Sequence, residues 1–263
     1  MNLAVSNIAW DASRDFEIYK MMTGYGFTGL EIAPTRVFPN NPYSHPEEAK
    51  RWAEELRGEY GFSIPSIQSI WYGRQEKIFG SQEERQILLD YTKQAVVFAE
   101  VIGCGNLVFG CPRNRFLPDG ADESIAVAFF REIGNYAAAH GTVIAMEANP
   151  PIYHTNYINE TKAALDLIEN VGADGFKLNL DLGTMIENGE DISMLNGREH
   201  LINHVHISEP GLKPIEQRPI HEALHEMLTN SGYDGFVSIE AGKQESVEKL
   251  EEMMKYIKEV FGG

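Results

Sequence analysis

Four short apolar runs in the second half of the chain each end on a side chain able to ligate a metal. Thr142-Val-Ile-Ala-Met runs into Glu147, and Phe176-Lys-Leu-Asn-Leu into Asp181. Leu201-Ile-Asn-His-Val runs into His206, and Phe236-Val-Ser-Ile into Glu240. Each run reads as a buried strand. The separations of 34, 25 and 34 residues suit one strand–helix unit each, the middle one with a short helix. Three carboxylates and one imidazole make a hard, oxygen-rich donor set. It fits one divalent ion, Mn²⁺, Co²⁺ or Mg²⁺, with Zn²⁺ possible. Without a cation, carboxylates this close repel one another, and one or more holds a proton. Any one of the four, taken alone, reads as easily as a salt-bridge partner or a solvated rim residue. Four at equivalent strand ends argue for a shared site.

The rest of the chain has to bring those ends together. Eight strand-then-helix units follow one another without a linker or low-complexity stretch. Predicted strands begin at Leu3, Phe27, Ser63 and Asn106, ahead of the four already named. Ser13 caps the first helix in this reading. Pro46 opens a helix with the stripe Ala49, Trp52, Ala53, Leu56 and Tyr60, and Gly61 ends it. Ser81 and Glu84 form a capping box. Asp122 and Asn159 cap two further helices, and after Asp181 the helical signal is weak, around Asp191–Leu195. Strands alternating with helices imply parallel pairing. Eight such units close into a single-domain (β/α)₈ TIM barrel spanning residues 1–263, whose catalytic groups gather at the C-terminal strand ends. An open doubly wound sheet is the runner-up, but no Gly-rich turn follows the first strand.

Composition narrows the function classes. The formal charge of −17 argues against a nucleic-acid surface, which needs a basic face. Two cysteines, Cys104 and Cys111, do not indicate a disulfide framework. No apolar run approaches the roughly 20 residues of a membrane span. The expectation is a cytoplasmic protein acting on a small molecule, with self-association into a homo-oligomer left open.

The segments Ala145-Met-Glu147, Leu180-Asp181-Leu-Gly, His204-Val-His206-Ile-Ser and Ser238-Ile-Glu240 resemble the xylose-isomerase-like barrel superfamily, and within it the sugar phosphate isomerase/epimerase group. Gly29-Leu-Glu31 is similar as well, which adds Glu31 to the substrate-facing candidates. The resemblance implies a Mn²⁺-type site made by Glu147, Asp181, His206 and Glu240. It also implies that Glu147 and Glu240 sit on opposite faces of a sugar or sugar phosphate, one taking a proton beside a carbonyl and the other returning one through an enediolate. Two positions depart from the ketose 3-epimerase pattern. Thr184 stands where many relatives carry a histidine. Lys213 is the nearest substitute for an arginine beyond the His ligand. A dehydratase on the same site, or a metal- and sugar-binding barrel without turnover, are the alternatives. The three-zinc endonuclease of the superfamily is excluded, because Gln68-Ser-Ile-Trp71 and Phe109-Gly-Cys111 lack its extra histidines.

Other residues fall in the predicted mouth loops. Arg113 and Arg115 follow the fourth strand and suggest a phosphate or carboxylate grip, the alternative being pairing with a nearby acid. Trp10 and Trp71 are either aromatic walls for a sugar or core. Asn149 and His154 lie in the loop after Glu147, within reach of substrate. His204 shares strand parity with His206 one step deeper and reads as a satisfied core histidine.

Overall fold

A computed structural model describes residues 1–263. Seven parallel strands form one sheet in the order β2-β1-β7-β6-β5-β4-β3. They are β1 Asn2–Ser6, β2 Gly29–Glu31, β3 Leu107–Phe109, β4 Ile144–Met146, β5 Phe176–Asp181, β6 Ile202–Ile207 and β7 Phe236–Ile239. The helices between them are α1 Asp15–Tyr25, the single turn α2 Pro34–Val37, α3 Pro46–Tyr60, α4 Gln82–Ile102, α5 Ser124–Ala139, α6 Thr161–Val171, α7 Leu182–Asn188, α8 Pro219–Ser231 and α9 Val247–Phe261. Strands and helices share one core of 68 buried residues. This is a single-domain α/β barrel of the TIM type.

The expected third strand, starting at Ser63, is not a regular strand. The gap between β2 and β3 is instead spanned by residues 63–68, through single bridges from Ser63 to Gly29 and from Ile67 to both Ile32 and Leu107. Pro65 is the reason: it has no N–H to give to a ladder, so pairing breaks around it. Ser63 and Ile67 still donate backbone bonds, to Thr28 at 2.9 Å and to Asn106 at 2.9 Å, and the ring closes.

Several element ends follow the sequence cues. Ser81 and Glu84 complete the capping box at the start of α4, and Pro46 and Pro219 open α3 and α8. Three differ. Asp11 rather than Ser13 accepts the first-turn N–H ahead of α1. Asn159 does not cap α6; its amide reaches back to the carbonyls of Asn149 and Thr155. The helix after β5 starts at once, because Asp181 is itself its N-cap, accepting from Thr184 N at 2.8 Å.

Candidate active site

The four strand-end residues meet at the C-terminal mouth. Glu147, Asp181, His206 and Glu240 each offer one ligand atom within 4.8 Å of all the others. Adjacent pairing places them: Asp181 is in register with His206 across β5 and β6, and His206 with Ser238, two residues before Glu240, across β6 and β7. Met146 pairs with Leu178, which sets Glu147 beside Asn179. His206 points Nδ1 at Glu147 Oε1, 3.1 Å away, and at Glu240 Oε2, 3.2 Å away.

Three of the four donors are held from behind. Asp181 accepts from Thr184 N and Thr184 Oγ1, both at 2.8 Å, and from Ser208 Oγ. Ser208 Oγ also accepts from Gly183 N at 2.8 Å. Gly183 has no alternative here, since a Cβ would lie 2.7 Å from Ser208 Oγ. Glu147 accepts from Asn149 Nδ2 at 3.0 Å and from Asn179 Nδ2 at 2.9 Å. His206 Nε2 lies 2.8 Å from Glu31 Oε2, so Glu31 accepts the Nε2–H and fixes the ring with Nδ1 toward the other carboxylates. Gln68 supports Glu31 at 3.0 Å, and His204 is 3.2 Å from the same carboxylate and 2.8 Å from Ser238 Oγ.

The charges inside this cluster act on one another strongly. Burial pushes Glu240 up to about 7, and the Glu147 and Asp181 carboxylates push the same way against the pull of His206. Asp181 is raised by burial and by Glu147. Burial opposes charge on His206, but Glu240 and Glu31 prevail and hold its proton well above the ordinary histidine range. Burial likewise opposes charge on Glu31, and His206 overcomes it, so Glu31 stays ionised far below the usual carboxylate range.

A sequence model of the family described as "Xylose isomerase-like TIM barrel" matches residues 22–260. The chain belongs to the xylose isomerase-like TIM barrel family. Solved structures with the same fold include a D-psicose 3-epimerase, 14% identical with a TM-score of 0.80 and all of both chains covered. The 3-keto-D-glucoside 4-epimerase YcjR from E. coli is 19% identical with a TM-score of 0.77, again over all of both chains. The probable 3-DHS dehydratase AsbF from Bacillus anthracis is 18% identical with a TM-score of 0.70, covering 98% of this chain and 99% of its own. No curated protein matches in sequence.

The residues of this family member fit a divalent ion. Three carboxylates and a histidine nitrogen with its second nitrogen fixed by a carboxylate are donor chemistry suited to such an ion. The cavity above them holds about 200 Å³ and is lined in part by Gln68, Ser69, Cys111, Asn149, Tyr153 and Leu212. No lysine or arginine lines it. A larger groove of about 770 Å³ borders the N-terminal starts of β6 and β7, at the wrong end of the barrel for these groups.

Of the substrate-facing candidates, Asn149 lines the cavity. Several others lie elsewhere. Arg115 is fully buried, and its Nη1 and Nη2 donate to the carbonyls of Glu147 and Ile158 and to Asn149 Oδ1, so it braces the loop under Glu147 rather than gripping an anion. Trp71 is core: its ring packs edge-on against Phe109 and Phe129, and its Nε1 donates to Thr92. Trp10 is buried, donates to Asp15 and borders a separate cavity beside Lys243. Glu31 stands behind His206, out of substrate reach. Arg113 and Lys213 are exposed and do not line the cavity. His154 is also outside that lining.

Three supports were not legible as such. Asn179 sits two residues before Asp181, so strand parity puts it on the same face one layer down. Ser208 lies two residues beyond His206 by the same rule. Thr184, which looked like a loss relative to the epimerase pattern, is an Asp181 clamp.

Proposed function

We propose that this barrel is a divalent-metal-dependent isomerase or epimerase acting on a small, uncharged sugar carrying a carbonyl. The observation that supports it is the convergence of Glu147, Asp181, His206 and Glu240 beneath a cavity with no basic side chain in its wall. A phosphate beside three carboxylates would need a compensating lysine or arginine, so the reacting end of the substrate is neutral. Glu147 enters from β4 and Glu240 from β7, with β5 and β6 between them, so the two carboxylates flank the space where a sugar carbon would lie.

In this reading one glutamate removes the proton from the carbon beside the carbonyl and the other delivers a proton to the opposite face, inverting that centre. The bound ion would supply Lewis-acid polarisation of the carbonyl as the enediolate forms. Asn149 and Asn179 hold Glu147 in place for proton transfer, and Thr184 and Ser208 keep Asp181 from swinging toward the substrate.

The test is a ketose and aldose panel incubated with Mn²⁺-loaded protein in D₂O and followed by NMR. Deuterium is expected beside the carbonyl of one sugar, with the inverted or isomerised product. Product lacking water would move the assignment to a dehydratase. A full panel showing sugar binding without exchange would leave a binding protein and end the enzyme reading.

A further inference from the structure

A second cavity, of about 590 Å³, opens beside the first. Ser69 lines both, so the two meet at that residue. The loop after β2 supplies Arg36 and Asn41 to its wall, and the loop after the irregular stave supplies Tyr72 and Arg74. Tyr72 is 71% exposed, the most exposed of the large hydrophobic side chains in the chain. A ring left in solvent at the edge of a cavity offers a flat apolar face that nothing in the fold uses.

The two arginines do not make this an anion site. Arg36 is already held by Asp15 at 2.5 and 3.4 Å and lies over the Trp10 ring at 5.3 Å. Arg74 donates through Nε to Glu76 at 3.0 Å, pairs with it again through Nη2, and lies over Tyr91 at 5.0 Å. Each positive charge is balanced and fixed in direction, which leaves oriented N–H groups without net charge to offer. An aromatic face, an amide and fixed guanidinium edges around a neutral cavity suit a hydroxylated ring.

We infer that the second cavity holds a further sugar ring, so that the substrate is a disaccharide or glycoside whose carbonyl-bearing unit lies over Glu147, Asp181, His206 and Glu240. This rests on the reading of the first cavity as the sugar site. Tyr72 stacks on the C–H face of the added ring, while Asn41 and Arg36 bond its hydroxyls.

Calorimetric titration of Mn²⁺-loaded protein separates the two claims. The probes are D-fructose and three disaccharides with a free fructose end: maltulose, isomaltulose and leucrose. At least one disaccharide should bind about tenfold tighter than fructose, the size of one aromatic contact. Tyr72→Ala should bring that disaccharide down to the fructose value, and Tyr72→Trp should restore the gain. Tyr72 is exposed, so neither change threatens folding. Disaccharides no tighter than fructose, or a gain that survives Tyr72→Ala, would overturn the second-ring site while metal-dependent fructose binding keeps the first. If no sugar binds in the presence of the metal, both fail together.

Discussion

From β4 to β7 the strands pair through successive ladders, and Glu147, Asp181 and His206 at their C-terminal ends are each held by neighbouring polar side chains. From β2 to β3 the ring closes on single bridges at Ser63 and Ile67, and what it presents to the mouth comes from loops. The first side carries all four candidate ligands. The second carries arginines already paired with acids and an exposed tyrosine. The contrast follows from tolerance. Metal ligands must be placed to a fraction of an ångström, which regular strands with a supporting layer achieve. A surface that selects among substrates tolerates loop variation.

The sharpest way to break this comparison is to change a carboxylate on the ordered side. Glu240→Gln keeps the size and a carbonyl oxygen but cannot accept a proton. It should lower kcat by roughly 10²–10⁴-fold, with sugar affinity within a few-fold of the native value. Stopped-flow or NMR turnover on the sugar found in the D₂O panel gives the number. A kcat changed by less than tenfold would remove Glu240 from the proton transfer and shift attention to the loop side.

A smaller effect is expected one layer deeper. Glu31 touches no cavity wall; it fixes the Nε2 proton of His206 at 2.8 Å. Glu31→Gln retains shape but offers only a neutral oxygen or an amide N–H to that nitrogen. Mn²⁺ affinity should fall about 10–100-fold, as for the partner of any metal-ligating histidine. Competition with a chromogenic chelator measures it, and circular dichroism checks the fold. Unchanged affinity would mean that His206 is oriented by its neighbours on β5 and β7 alone.

How much of this was readable beforehand follows the same divide. The ligands showed in the sequence because a hydrophobic run ending on Glu, Asp or His is a strong local signal. Their supports showed only in part. Parity along a strand exposes His204 beneath His206, and the same rule applied to Asp181 would have found Asn179. Glu31 was visible only as part of Gly29-Leu-Glu31, which says nothing of which way its carboxylate points. On the loop side the local chemistry gives no hint of burial. Arg115 in an acidic chain looks like an anion grip, yet three buried acceptors from a loop more than thirty residues away claim it. Trp71 looks like a sugar platform, but its ring packs inward against Phe109, and it is Tyr72 next to it that is exposed.

The two loop arginines provide the mildest test, because they differ by two positions and by everything else. Arg115→Met fills similar volume but leaves the Glu147 carbonyl and Asn149 Oδ1 without their donor in a dry environment. It should cost about 3 kcal/mol in urea unfolding and reduce turnover by loosening the loop that carries Asn149. Arg113 is exposed, and only its backbone carbonyl is engaged, by Lys77. Arg113→Ala should therefore shift stability by less than about 0.5 kcal/mol and leave sugar affinity unchanged. If Arg113→Ala instead weakened binding of a phosphorylated sugar over its neutral counterpart, the mouth would hold an anion after all. The assignment of the acidic side to an uncharged substrate would then have to be withdrawn.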